Sequence, residues 1–163
     1  MAKNHANEDL RPSVLDRLVE GQGRSPGGRP QWYSARELKN AVARDLEWLL
    51  NTYCSLPEGI EHLAEARKSV LSFGIPDISV FSWTSDSDAR TVCEMIEEAV
   101  RTFEPRLLPH SVRVELVPSR RADDFKLHFR IDAIVHVDPI TEPVSFDTDI
   151  LVDSLAFEVK QAS

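Results

Sequence analysis

The sequence predicts an α+β domain in which N-terminal helices pack on one face of a C-terminal antiparallel β-meander. Apolar residues recur at helical spacing, about every 3.6 residues, as far as Phe103. From Val112 onwards they recur at every second position, in four segments separated by short polar turns. Such a sheet has one apolar face that must be covered, and the preceding helices are the elements that can cover it.

The composition of the chain limits the classes of function that it can have. The net charge of −8 disfavours nucleic-acid binding, which requires a basic face. No stretch approaches the ~20 apolar residues of a membrane span, and residues 1–10 lack the apolar core of a signal peptide. We therefore expect a cytoplasmic protein without direct membrane insertion. Cys54 and Cys93 form neither a C-x-x-C pair nor a zinc pattern, which predicts free thiols.

The length of 163 residues suits one domain, residues 34–163, preceded by a tail, residues 1–33. In the tail, Leu10, Val14, Leu15 and Leu18 mark the apolar face of a short helix. Residues 21–30 read GQGRSPGGRP, a composition typical of a flexible linker. A short tethered helix cannot bury its apolar stripe alone, so it must dock on its own domain or on a partner.

The first helix of the domain is predicted to begin at a capping box, in which Ser34 is the N-cap and Glu37 reaches back to it. A stripe at helical spacing is predicted to face the core, and Trp48 falls off that stripe. The stripe consists of Leu38, Val42, Leu46, Leu49, Leu50 and Tyr53.

The second helix is predicted to begin at residues 86–88 and to end near Phe103, because Pro105 lacks a backbone donor and biases Glu104 away from helical dihedrals. Its inward face is predicted to consist of Val92, Ile96, Ala99, Val100 and Phe103. Between the two helices, Gly74 and Pro76 mark a tight bend.

Four strands follow in the prediction, at residues 112–116, 125–137, 144–150 and 155–159. Polar turns are predicted at residues 119–124 and 138–143. The second strand exceeds the typical length of about 5–6 residues, so we expect strong twist or a bulge there.

The junction of the helical and strand halves carries the candidate site, Glu104, Pro105 and Arg106. A carboxylate and a guanidinium flank a rigid bend, and arginine can make paired hydrogen bonds to a carboxylate or to backbone carbonyls. One interpretation is a local ion pair that pins the turn. The other is a recognition site for a partner. The residues alone do not choose between them.

Catalytic and cofactor motifs are absent from the sequence, and no metal site is indicated. The five histidines are scattered, and His128 and His136 would lie about 26 Å apart on a straight strand, too far to share a metal. Hydrolysis by two carboxylates needs a set separation within a cleft. Glu104 and Asp77 lie near bends, but nothing in the sequence brings them together.

Several segments together resemble a known family. They are LRPSVLDRL (10–18), RDLEWLLNT (44–52), SVLSFGIPD (69–77), FEPRL (103–107) and FDT (146–148). In this order they resemble the TssE subunit of bacterial type VI secretion, which belongs with the small baseplate wedge protein of contractile phage tails. The resemblance spans nearly the whole chain.

The resemblance implies a structural, non-enzymatic subunit. Members of the family join TssF and TssG in the baseplate wedge, contact TssK-containing assemblies and surround the hub of the inner tube. Their fold is similar to part of the sheath subunit and offers strands on which the first sheath ring docks. The motif matched by Glu104, Pro105 and Arg106 is associated with binding the helical core bundle of the larger wedge subunits. The family has also been labelled lysozyme-like, so a peptidoglycan hydrolase is the alternative.

Overall fold

The computed structural model describes residues 13, 34–55, 59, 62–82, 85–117, 126–138, 140–151 and 153–162. The predicted helix at 10–18, apart from Ser13, the linker at 21–30 and the turn at 119–124 lie outside the described residues. The assignment of residues 1–33 to a separate tail therefore stays a prediction.

The α+β prediction is confirmed. Two α-helices, α1 (Ala35–Leu50) and α2 (Asp86–Phe103), precede the strands β1 (Arg113–Val117), β2 (Lys126–Val137), β3 (Ile140–Leu151) and β4 (Ala156–Gln161). The strands form one antiparallel sheet in the order β1-β2-β3-β4, and the helices pack against it. Short 3₁₀ turns lie at Ala66–Lys68, Val70–Ser72 and Pro109–Ser111.

Helix α1 begins with the predicted capping box at Ser34 and buries the predicted stripe from Leu38 to Leu50. The placement of Tyr53 in that stripe is wrong. The helix ends at Leu50 with Asn51 as its C-cap, and Tyr53 forms a parallel bridge with Ile75 that leaves its side chain 68 % exposed.

The predicted bend at Gly74 is held against the end of α1. Gly74 has a φ of +118°, and a Cβ at this position would lie 2.2 Å from the backbone oxygen of Thr52. That oxygen accepts a 2.9 Å hydrogen bond from Ile75, and Ile75 in turn accepts one of 2.8 Å from Cys54. The close approach of two backbones therefore requires glycine here.

Helix α2 ends at Phe103, as predicted, and its predicted inward face is buried except for Phe103, which is half-buried. Phe103 meets Phe73 edge to face, with ring centroids 5.4 Å apart. The core lies between the two helices and the inner face of the sheet.

The long strand β2 pairs with β3 one residue to one residue from Lys126 to Val137, so no bulge interrupts this ladder. The predicted turn at 138–143 is too long, because β3 begins at Ile140 and contains Pro143. Proline is tolerated there because the backbone groups of its partner Ile134 bond to Leu108 and Ser111 instead. The missing N–H of Pro143 therefore breaks no bond in the β2–β3 ladder.

Side chains at each helix bond to backbone groups on part of each edge of the sheet. On the β1 side, Glu97 of α2 accepts a 2.9 Å hydrogen bond from the N–H of Val114, and Arg101 donates one of 2.9 Å to the carbonyl of Val112. On the β4 side, Asn51, the C-cap of α1, accepts a hydrogen bond from the N–H of Phe157 at 3.0 Å, and Glu47 accepts one from the N–H of Val159 at 3.1 Å. Among the described helices, none is both long and apolar enough to cross a membrane.

Candidate functional site

The predicted site is a tight turn at the end of α2. The N–H of Glu104 continues the helix by bonding to the carbonyl of Val100 at 3.0 Å, and the N–H of Leu107 bonds to the carbonyl of Glu104 at 3.2 Å. Pro105 therefore takes the second position of a four-residue turn, which its fixed φ favours. The ring of Pro105 is exposed.

The turn is also fastened to the sheet. Arg106 accepts a 2.8 Å hydrogen bond from the N–H of His136, and the N–H of Leu108 bonds to Ile134 at 2.9 Å. Leu107, which is 1 % exposed, forms a bridge with Val135 between those two bonds. The backbone of the motif is thus held by the helix on one side and by β2 on the other.

The side chains of the motif form an ion pair. Arg106 donates from Nε to Oε1 of Glu104 at 2.7 Å and from Nη2 to Oε2 at 2.5 Å. The N–H of Arg106 adds a 3.1 Å bond to the same Oε1. The local ion pair of the first interpretation is therefore present, in the two-pronged form that arginine allows.

The ion pair extends to a third charged residue that the sequence reasoning did not single out. Nη2 of Arg106 also donates to Oδ2 of Asp45 on α1, at 2.6 Å, across 61 positions of the chain. The other oxygen of Asp45 accepts from Nε and Nη2 of Arg44, at 3.0 and 2.8 Å. The guanidinium of Arg44 lies 5.0 Å above the ring of Trp48.

Asp45 lies within the segment RDLEWLLNT that carries the family resemblance. Nothing in the spacing of charges along α1 could have paired it with Arg106, because that pairing depends on how α1 and α2 lie against the sheet. Trp48, which falls off the core stripe, is 50 % exposed and forms the outer end of this row of side chains.

Burial makes the charges interdependent. Glu104 is only 3 % exposed, and the side chain of Arg106 is 19 % exposed. Burial acts to lower the pKa of Arg106, but hydrogen bonds and charge from Glu104, and then from Asp45, outweigh it, so the pKa lies above the ordinary arginine value. A buried carboxylate stripped of its guanidinium would be an uncompensated charge. The network is therefore part of the fold, whatever else it does.

The surface that this network presents is small and rigid. Nη1 of Arg106 has no hydrogen-bond partner among the described residues. Pro105, the residue before Arg106 in the sequence, is exposed. Both are held by a backbone and a guanidinium that are already ordered. A partner that used them would lose little conformational freedom at this site.

No constellation for hydrolysis or metal binding is found among the described residues. They contain no group of three or more His, Cys, Asp or Glu side chains that could hold a metal. Glu104 is engaged by Arg106, and hydrogen bonds from Ser79 lower the pKa of Asp77, whereas a general acid needs a raised one. His128 and His136 bond to Asp149 and Thr141 on β3, and both cysteines are free.

Fold and site together define an α+β domain in which a network of charged side chains joins α1 to the turn after α2. The chain belongs to the family of baseplate wedge protein gp25, the family of TssE, whose family model matches residues 36–140. That range includes both helices, the Glu-Pro-Arg turn and the first two strands. No curated protein and no solved structure matches the chain significantly. Membership in this family gives the chain a structural role in a phage tail-like baseplate, among other baseplate components.

Proposed function

We propose that the chain is the TssE subunit of a type VI secretion baseplate and binds the larger wedge subunits TssF and TssG through Glu104, Pro105 and Arg106. The observation that carries this proposal is the rigid turn on a chain of the gp25 family. The motif is held by backbone hydrogen bonds on both sides, and Nη1 of Arg106 has no hydrogen-bond partner among the described residues. Such a group can meet a helical partner at low ordering cost.

The same proposal makes the sheet a platform for the first ring of the contractile sheath. Backbone pairing at a sheet edge gives affinity with modest demands on sequence, and the sheath is made of similar domains in the family that this chain resembles. Contacts with TssK-containing assemblies and proximity to the tube and spike hub belong to this role. The subunit works on the cytoplasmic side of the inner membrane, to which the secretion machine holds it.

A comparison of two variants tests the wedge contact. Arg106→Lys keeps the positive charge but removes the planar fork, whereas Asp45→Asn loosens the guanidinium and leaves it in place. We expect Arg106→Lys to weaken co-purification with TssF and TssG by about 10–150-fold, the range for a lost charge-assisted hydrogen bond of about 1.5–3 kcal/mol. Asp45→Asn should weaken it by less than about threefold.

Thermal unfolding of both lone variants separates recognition from folding. Each variant loses part of one ion-pair network, so both melting temperatures should fall by similar, modest amounts. If wedge binding fell in step with melting temperature in both variants, the motif would serve the fold alone. Normal binding by folded Arg106→Lys would remove the partner-binding role.

A further inference from the structure

The row of side chains that links the Glu-Pro-Arg turn to α1 ends in a positive charge at the surface. Glu104 is buried and the side chain of Asp45 is 24 % exposed, whereas that of Arg44 is 39 % exposed. The outermost charge of the row is therefore the guanidinium of Arg44. On a chain with a net charge of −8, this is a local surface that favours a carboxylate from a partner.

Trp48 forms the apolar end of the same surface. Its side chain is exposed and lies outside the stripe by which α1 packs in the core. Arg44 stands four residues earlier, so both side chains lie on one face of the helix, with the guanidinium 5.0 Å above the indole ring. This contact restrains both side chains before any partner arrives. Tryptophan and arginine are also enriched among the residues that carry most of the energy of an interface.

Asp45 joins this end of the row to the turn. Its Oδ2 accepts from Nη2 of Arg106 at 2.6 Å, and its Oδ1 accepts from Nη2 of Arg44 at 2.8 Å. One carboxylate therefore fixes the positions of both guanidinium groups relative to each other. Arg44 and Trp48 thus belong to the same ordered surface as the Glu-Pro-Arg turn.

We propose that Trp48 and Arg44 extend the wedge contact along α1. Trp48 fills an apolar pocket between helices of the TssF–TssG bundle, and Arg44 pairs with a carboxylate at the rim of that pocket. The inference rests on the proposed function and deepens it by stating two further contact residues and what the partner presents to them. The occupant is the wedge bundle, because the row is continuous with the Glu-Pro-Arg turn through Asp45. Since Arg44 covers one face of the indole, the pocket takes the opposite face and the edge of the ring.

Alanine variants of two exposed aromatic residues test the anchor. Trp48→Ala removes the indole, whereas Tyr53→Ala removes a more exposed ring on a residue that bridges Ile75 beyond the end of α1. Each full-length variant is titrated with purified TssF–TssG complex. Trp48→Ala should weaken binding by at least about 30-fold, as truncation of a central interface residue does, and Tyr53→Ala by less than about threefold. Equal losses from the two variants would overturn Trp48 as the anchor.

Removal of one charge on α1 tests the pairing with a carboxylate. Arg44→Gln keeps a polar side chain without the charge, and Arg36→Gln makes the same change at an exposed residue eight positions earlier on the helix. Arg44→Gln should weaken binding to the TssF–TssG complex by about tenfold, the effect of losing one charge-assisted hydrogen bond. Arg36→Gln should bind like the parent. Unchanged binding by folded Arg44→Gln would overturn the charge pairing.

A photo-crosslinking phenylalanine at position 48, and separately at position 53, identifies the occupant in assembled baseplates. It keeps an aromatic ring at each position, so it tests the contact even if Trp48→Ala fails to fold. TssF or TssG crosslinked from 48 but not from 53 is the expected result. Sheath protein crosslinked from 48, or residues 1–33 of the chain itself, would overturn the wedge bundle as the occupant.

Variants of the turn and of α1 separate the two proposals. Weak binding by Arg106→Lys with normal binding by folded Trp48→Ala would leave the proposed wedge role in place and overturn its extension along α1. Weak binding by folded Trp48→Ala with normal binding by Arg106→Lys would support the contact on α1 and remove the Glu-Pro-Arg turn from the interface. Normal binding by both folded variants would overturn both proposals.

Discussion

The charged residues of the turn act as a unit because one of them is buried. Glu104 has almost no access to water, and Arg106 is its counter-ion as well as the link to Asp45. Truncation of Arg106 to alanine would leave the carboxylate unpaired, at a cost of about 3 kcal/mol. Loss of binding by that variant would not show whether the cause is unfolding or the loss of a contact with the partner. The lysine and asparagine variants avoid this difficulty because each retains one ion pair.

Gly74 lies at a positive φ and close to the backbone of Thr52, and both features favour glycine. Gly74→Ala should lower the free energy of unfolding by at least about 2 kcal/mol, because the new Cβ would sit at a positive φ and against the carbonyl oxygen of Thr52. Gly59 also has a positive φ, but nothing lies within 4 Å of a Cβ there. Gly59→Ala should therefore cost only about 1 kcal/mol.

Urea unfolding of the two alanine variants measures this difference. Equal losses at the two positions would mean that the backbone conformation alone requires glycine. The close contact between a Cβ at position 74 and the backbone oxygen of Thr52 would then add nothing to the loss of stability.

At the scale of the element, the start of α1 carries a pH-dependent contribution. Glu37 accepts hydrogen bonds from the N–H and the hydroxyl of Ser34, both at 2.7 Å. The backbone bond, and then the hydroxyl bond, lower the pKa of Glu37 below its ordinary value of 4.5. A lowered pKa in the folded state means that the ionised form stabilises the helix. That stabilisation is complete above the ordinary pKa and is lost as the pH falls through the folded pKa.

Glu37→Ala should therefore be less stable than the parent by about 0.5–1 kcal/mol at pH 7, with the difference shrinking as the pH falls below 4.5. Thermal unfolding across this pH range measures it. Glu98→Ala, at an exposed position within α2, is the control for the removal of a glutamate side chain from a helix. A constant difference between Glu37→Ala and the parent at all pH values would mean that the carboxylate charge is not responsible.

Two element boundaries differ from those predicted by the spacing of apolar residues and turn residues, because backbone hydrogen bonds to distant residues set them. Pro143 marked a turn in the sequence, yet it lies within β3, because its partner Ile134 directs its backbone groups to the other side. Tyr53 continued the helical spacing of α1, yet the helix ends earlier, because the following residues pair with the Gly74 bend. In both places local preference was overridden by a partner distant in sequence.

For the molecule as a whole, membership of the gp25 family supports an assembly subunit, and the described residues can be compared with what a hydrolase requires. Side chains of α1 and α2 bond to part of each edge strand, and Glu104, the most buried carboxylate among the described residues, is held by Arg106. A glycosidase instead needs two carboxylates about 5–10 Å apart in an open cleft, one of them with a raised pKa. Of the two acids that the sequence suggested for that purpose, Glu104 is bound by Arg106, and hydrogen bonds from Ser79 lower the pKa of Asp77.

Purified protein should accordingly release no soluble fragments from peptidoglycan. The measurement is the increase of reducing sugar in the supernatant over a protein-free blank, with hen-type lysozyme as the positive control. Turnover that is retained by folded parent protein and disappears in a folded Glu104→Gln variant would establish the hydrolase instead. The control variant is Glu98→Gln, whose exposed side chain should have no effect on either outcome.

The local features of this protein could be predicted from its amino-acid sequence. The period of its apolar residues predicted two helices followed by a sheet, Ser34 and Glu37 predicted the start of α1, and Pro105 predicted the end of α2. These features depend on residues a few positions apart, so they can be read along the chain. Glu104, Pro105 and Arg106 could also be named from the sequence, because they follow the second helix and match a motif of the family that the chain resembles.

Which distant residues contact each other depends on how the helices and the sheet pack. Asp45 contacts Arg106 across 61 positions, and Glu47 accepts a hydrogen bond from the N–H of Val159 across 112. No periodicity encodes such pairs, because they depend on how α1 settles between the turn and the sheet. An exposed ion pair and a buried one also look alike in sequence. Burial separates them, since a charge removed from water must be matched by a partner that the fold brings to it.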